Sequence, residues 1–501
     1  MSISFTVASS APGRTRADVL AVPIFADRAF GPGADAVDDA CGGALAQFME
    51  RAGFDGGRGQ SLFVPIDATA KTALLVGLGS AADLTLDDLR VAGALISQKA
   101  GGSARVATTL ADAAPEALNR GEVAQAIAEG VLLGGYEFLE YRSKSPSKRK
   151  LTHVVVLGGG GAPVTRALAR AVTISGAVAW ARNMVNTPAR ELSPDRFAKL
   201  AQQLLRGTGV RVEVLDVVAM RRERLGGVLG VGQGSKQPPR FVKMTYSPRG
   251  ARGSIAFVGK GVVFDSGGLS IKTGSGMETM KTDMSGAAAV IAAMSVLGEL
   301  GVTTKVVGYT PMVENMPSGD AIRPGDVLTF RNGKTAEVLN TDAEGRLILA
   351  DALSLAAEAK PDGIVDLATL TGACVVALGE KIAGLMANNE TFGDEVESAS
   401  KRAGETMWPL PLPKQYRKQI DSEIADMKNI GTGGYGGALT AGLFLQEFVN
   451  DVPWVHLDIA GPARASADDG YARRGGTGFG VRTLLELAQH HSAPKRKRAS
   501  R

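Results

Sequence analysis

At 501 residues and 51.8 kDa the chain is too long for one small domain, and 45% apolar, 21% charged and about 17% glycine plus proline make it neither disordered nor fibrous. Two cysteines (Cys41, Cys374) and four histidines (His153, His456, His490, His491) exclude a disulfide framework and a Cys- or His-rich zinc site, so a metal would be held mainly by oxygen. The net charge of +5 is carried by Lys495, Arg496, Lys497, Arg498 and Arg501, which leaves 51 basic against 51 acidic residues over positions 1–494 and no field over the body to steer nucleic acid. The N-terminal twenty residues lack a basic stretch followed by an apolar one, and the longest apolar run, Ala287 to Met294, is far too short to span a membrane. A cytoplasmic protein that does not enter membranes is expected.

Taken in order, the first third alternates strands and helices. Leu74-Leu75-Val76 and Val154-Val155-Val156-Leu157 end in glycine, as buried parallel strands do. Leu86–Lys99 and Glu116–Leu133 carry helical spacing, the second just after Pro115. The fold class expected is α/β in two domains: a smaller N-terminal α/β (macro-like) domain over 1–162, and a larger C-terminal α/β catalytic domain with a central mixed sheet over 193–489. A connecting helix and linker, 163–192, ends near Asn186-Thr187-Pro188, because proline stops a helix. Residues 490–501 read as a basic, disordered tail. Strands of the second domain are expected at Ser254–Val258, Thr304–Tyr309, Thr335–Leu339, Gly363–Ala368 and Val455–Ile459, and helices at Ser285–Leu300, Arg346–Lys360 and Thr440–Val449.

The second domain places charge where a plain α/β core would not. Lys260 follows the strand ending at Gly259, where open α/β sheets bind ligands. Asp265, Lys272 and Asp283 follow, the last just before Ser285, the expected N-cap of an apolar helix. A second cluster, Asn340-Thr341-Asp342-Ala343-Glu344-Gly345-Arg346-Leu347, lies between a strand and a helix; in an extended segment Asp342, Glu344 and Arg346 would share a face. They could form a salt bridge or half of a dinuclear metal site. Four converging carboxylates without metal would repel one another, whereas two divalent cations balance them. Lys260 would then serve as a neutral nitrogen ligand, and Lys272 would stay charged and meet oxyanion charge.

The string NTDAEGRL at Asn340–Leu347 resembles the signature of the leucyl (cytosol) aminopeptidase family of dinuclear-metal exopeptidases. The resemblance extends to the spaced set Lys260, Asp265, Lys272, Asp283, to Asp366-Leu-Ala-Thr-Leu-Thr-Gly372 and to His456-Leu-Asp-Ile-Ala-Gly461. It implies hydrolysis of the N-terminal, leucine-like residue of peptides by a cytoplasmic homohexamer, with two divalent metal ions, zinc or manganese, per subunit. Lys260, Asp265, Asp283 and Glu344 resemble ligands of the tighter ion. Asp265, Asp342 and Glu344 resemble those of the exchangeable one. Lys272 and Arg346 resemble the catalytic residues, Arg346 as holder of a bicarbonate that takes the proton from water. Met280, Thr369, Gly372 and Ala460 match the pocket for the N-terminal side chain; Ala463 stands where some relatives have methionine, so a wider pocket is implied. Some bacterial members also bind DNA as accessory regulators, which makes DNA through the basic tail the alternative reading.

Taken singly, each residue has a plainer explanation. Lys260 and Lys272 read as solvated loop lysines, and Asp283, Asp342 and Glu344 as acids favouring helix N-termini. Those explanations leave NTDAEGRL unaccounted for. Gly158–Gly161 reads as a turn, and Gly333-Lys334-Thr335 fails as a P-loop because Leu328 stands where glycine is required. His456 reads as a hydrogen-bonded core residue, and Cys374 as a small buried apolar one.

Overall fold

Buried apolar runs in the first third pair into one sheet. The computed structural model describes residues 3–144 and 149–491. Of the tail expected over 490–501, His490 instead ends the helix Val481–His490 and His491 is buried with its Nδ1 2.8 Å from Glu395; positions from 492 onward lie outside the described residues, as do 145–148 of the basic loop. Strands β1 (Ser4–Ala8), β2 (Val19–Phe25), β3 (Ser61–Pro65), β4 (Thr72–Gly79), β5 (Arg105–Thr108) and β6 (His153–Leu157) stand in the order β1-β6-β5-β2-β4-β3. All neighbours run parallel except the edge strand β3. Helix Leu86–Lys99 starts at a capping box in which Thr85 and Asp88 satisfy each other's backbone N–H groups. The next helix starts at Arg120, later than expected at Glu116, because the Asn119 side chain accepts from the Gly121 and Glu122 N–H groups.

This first unit runs to Gly176 and also takes in Ala467–Arg474. The Tyr471 hydroxyl donates to Asp87 (2.8 Å), and the Gln98 amide donates to the Gly470 carbonyl (2.8 Å). The second unit comprises Ala177–Ser466 and the residues from Gly475 on. The division falls inside the long helix Gly161–Asn186.

The second unit is built on a mixed sheet. Its strands begin with β7 (Val210–Leu215), β8 (Arg240–Tyr246), β9 (Ser254–Gly259), β10 (Gly261–Asp265) and β11 (Lys305–Asn315). In chain order follow β12 (Val327–Thr329), β13 (Thr335–Glu337), β14 (Gly363–Ala368), β15 (Ala383–Ala387), β16 (Met407–Pro409), β17 (Met427–Lys428) and β18 (Trp454–Asp458). The large sheet has the order β16-β15-β18-β14-β9-β11-β8-β7, with β10 pairing the far end of β11; β12, β13 and β17 form a small sheet. Strands β18, β14, β9 and β11 are mutually parallel, and β8 and β7 close one edge antiparallel. The parallel strands are buried along nearly their whole length, which explains their continuous apolar runs.

Several helices pack on this sheet, and two of them flank β9 beside the site. Gly345–Glu358 packs with Ala256 and Val258 of β9 in the main core. Ser285–Val296 is buried at every position and approaches the other face, where a Cβ on Gly259 would come within 2.5 Å of the Gly286 carbonyl oxygen. A Cβ on Gly286 would meet the Leu367 carbonyl oxygen at 2.0 Å. That oxygen also accepts from the Lys260 N–H at 3.0 Å, so it cannot retreat freely. Gly286→Ala is therefore expected to cost about 3 kcal/mol, seen in calorimetry as a thermal midpoint lower by about 3 °C. An unchanged midpoint would mean that the helix moves away without loss.

Candidate metal centre and cleft

The site forms where the parallel strands end. Lys260 is the single residue between β9 and β10, Asp265 closes β10, Thr369 follows β14, and Ala460 lies just past β18. Asp283 caps the 3-10 turn Met280–Thr282. Ser285 is not the N-cap expected of it: it is already helical, its hydroxyl donates to the Thr282 carbonyl, and Met284 holds the cap position. Nor is Asn340–Arg346 an extended segment. The Asn340 side chain accepts from the Asp342 N–H, Glu344 has helical φ/ψ at the N-cap, and Arg346 lies in the first turn of the helix. Turn and helix start, not strand alternation, bring these residues together.

The cluster is buried and tightly paired. The Lys260 ammonium lies 2.8 Å from Asp283 and 2.9 Å from Glu344, and donates to the Thr369 carbonyl at 2.8 Å. The Thr369 hydroxyl donates to Asp283 at 2.7 Å. The Lys272 ammonium reaches Asp265 at 2.8 Å and Asp342 at 2.5 Å. Asp265 is held in turn by the Gly267 N–H and the Asn315 amide, both at 2.8 Å. Arg346 donates to the Asn429 carbonyl at 2.8 Å, while the Asn429 side chain donates to the Asn340 carbonyl at 2.6 Å and accepts from the Leu339 N–H.

Charge is strained here. Burial, then the charges of Asp265 and Asp283, pushes the Glu344 carboxyl up to about 8 despite the Lys260 ammonium. Burial raises Asp283 to about 6, with Lys260 opposing, and raises Asp342 as well. Burial works against the Lys260 charge, but Asp283, Glu344 and Asp265 outweigh it and hold the amine above its ordinary range. Burial also lowers Arg346 to about 10.

A divalent cation fits this donor set. Oxygens of Asp265, Asp342 and Glu344 lie within 4.8 Å of one another. Asp283 Oδ2, Asp342 Oδ1 and Glu344 Oε1 each have a lysine ammonium at 2.5–2.9 Å but no hydrogen bond of good geometry, which leaves lone pairs for a cation. Hard oxygen donors with one amine suit zinc, manganese or magnesium alike.

A cleft of about 530 Å³ opens onto the cluster. Lys260, Asp265, Lys272, Asp283, Asp342 and Arg346 line it, and so do Met280, Thr369, Gly372 and Ala460. Glu344 lies behind them against Lys260. All eleven residues singled out in the sequence thus meet in one place. His456 stays in the core, its Nδ1 2.6 Å from Asp366. Cys374 is buried. Sequence reasoning missed Asn315 and Asn429, which orient the site; each binds partners remote along the chain, and no local pattern marks them. Asp458 stands inside the stretch His456-Leu-Asp-Ile-Ala-Gly461 without an assigned role there.

Fold and site define a two-domain α/β protein whose carboxylate cluster, at the carboxyl ends of its parallel strands, could hold a divalent metal ion. The model of the cytosol aminopeptidase family, catalytic domain, matches residues 179–485, and that of the family's N-terminal domain matches 21–145. The chain belongs to the cytosol aminopeptidase family and is a metal-dependent aminopeptidase. A probable cytosol aminopeptidase of Streptomyces avermitilis is 45% identical, over 97% of this chain and 98% of that one. One of Thermosynechococcus vestitus is 46% identical over 90% and 91%. Among solved structures, a variant of tomato leucine aminopeptidase superposes with TM-score 0.90 at 35% identity, covering 98% of this chain and 97% of that one. The bottromycin maturation enzyme BotP in complex with Mn gives 0.85 at 38%, covering 94% and 99%. Among the described residues no helix is long and apolar enough to cross a membrane.

Proposed function

We propose that this aminopeptidase removes leucine-like N-terminal residues from peptides with two divalent ions, zinc or manganese, and that residues 193–489 carry the chemistry. The observation that supports this reading best is the buried set of carboxylates and Lys260 opening onto a cleft lined by Met280, Thr369, Gly372 and Ala460. Lys260, Asp265, Asp283 and Glu344 would hold one ion, and Asp265, Asp342 and Glu344 the other. The ions when bound would supply Lewis acidity and activate water. Lys272, partly exposed at the cleft, keeps its proton and faces the oxyanion that develops on the scissile carbonyl. The wall residues hold the N-terminal side chain, and the α-amine enters toward the carboxylates.

Among the described residues lining the cleft there is no histidine, the glutamate present, Glu380, accepts from the Ser466 hydroxyl at 3.1 Å, and Arg346 presents a cation. A bicarbonate on Arg346 would take the proton from water. Arg346→Ala is expected to lower kcat by about 100-fold, with metal content unchanged and added bicarbonate no longer stimulating. Departure of metal would make Arg346 structural instead. A homohexamer working in the cytoplasm belongs to the same reading and rests on family resemblance. DNA binding is not favoured, because its basic residues, Lys495 to Arg501, are remote in sequence from every residue of the cleft.

The test is hydrolysis of leucine p-nitroanilide by metal-stripped protein, with manganese or zinc restored. Recovery of turnover with uptake of two ions per chain is expected. A folded chain that binds two ions and stays inert would overturn the reading.

A further inference from the structure

Asp458 closes β18 fully buried, and no role above uses it. Its Oδ1 accepts from the backbone N–H groups of Leu370 (3.2 Å), Thr371 (3.4 Å) and Ala460 (3.2 Å). Its Oδ2 accepts from the Thr371 hydroxyl at 2.6 Å. That hydroxyl in turn accepts from the Cys374 N–H and caps the helix Gly372–Leu378. One carboxylate therefore ties the turn after β14 to the turn after β18. Thr369 and Gly372 follow β14 and Ala460 follows β18, and all three line the cleft. The same turn presents the Thr369 carbonyl to Lys260 and the Thr369 hydroxyl to Asp283.

We propose that Asp458 is a positioning residue that sets the width of the N-terminal side-chain pocket by fixing the Thr369–Gly372 turn against Ala460. The inference rests on the assignment of Met280, Thr369, Gly372 and Ala460 as the pocket wall. A buried charged acceptor holding three N–H groups and a hydroxyl fixes a turn more tightly than neutral partners would. Pocket width in turn discriminates side chains that differ by a few methylenes.

The manganese-loaded full-length protein is assayed on leucine and alanine p-nitroanilides, and the ratio of the two kcat/KM values is read. Asp458→Ala is expected to lower the leucine-to-alanine ratio about five-fold or more. Asp458→Asn keeps an oxygen for the three N–H groups and should hold the ratio within about two-fold of the parent. Thr371→Val removes the hydroxyl link to Asp458 together with the cap on the Cys374 N–H; a fall in the ratio of about two-fold or more is expected, and it carries the test if Asp458→Ala does not fold. A lowered thermal midpoint with an unchanged ratio in the foldable variants overturns the proposal, since a merely structural residue would do that. Met280→Ala separates the two levels of inference. If it shifts the ratio and the Asp458 and Thr371 variants do not, the role of Asp458 falls alone. If it leaves the ratio unchanged, the pocket assignment falls and the proposal with it.

Discussion

Glu344→Ala is expected to abolish turnover, by about 1,000-fold or more, and to strip most bound metal. Glu344 is 1% exposed, and its Oε1 lies 2.9 Å from the Lys260 ammonium. It also stands within reach of Asp265 and Asp342, so its loss takes a shared donor from both proposed ions at once. Glu344→Gln isolates charge from shape: the amide fits the space, but it presents NH₂ where Lys260 presents NH₃⁺. Elemental analysis should show fewer than two ions per chain in either variant. Full metal content with retained turnover would remove Glu344 from the centre.

Lys272→Met should have the second largest effect, a fall in kcat of about 100- to 1,000-fold, with KM and metal content little changed. Burial opposes the charge on Lys272, but Asp265 and Asp342 prevail and hold the amine above its ordinary range. Its job is then electrostatic and not proton transfer. Lys272→Arg should recover little, since a planar guanidinium does not fit a place built for a compact ammonium between two carboxylates. Loss of metal in Lys272→Met would show instead that the ammonium orders Asp265 and Asp342.

What could be read beforehand followed how locally each feature is encoded. Strand Gly363–Ala368 and helix Leu86–Lys99 have the bounds expected of them, because apolar runs and caps are neighbours along the chain. Helix Ser285–Val296 ends before the expected Leu300, and the strand expected at Thr304–Tyr309 continues to Asn315, carried on by its pairing with β10. The site residues were legible through the spacing of Lys260, Asp265, Lys272 and Asp283 and through NTDAEGRL, although the geometry that joins them is helical and not extended. Asn429 was invisible: its partners Leu339, Asn340 and Arg346 lie about ninety residues away, and a solitary buried asparagine carries no local signature.

The return of Ala467–Arg474 to the first unit bears on how this architecture can be recombined. Chain continuity crosses between the units at three places, near residues 176, 466 and 474, so the N-terminal unit is not a cassette with one junction. A fragment cut after Gly176 would leave Asp87 without the Tyr471 hydroxyl and Gln98 without the Gly470 carbonyl. Exchange of this unit between relatives must therefore carry the 467–474 segment along with it, and the two stretches are expected to drift together over evolutionary time.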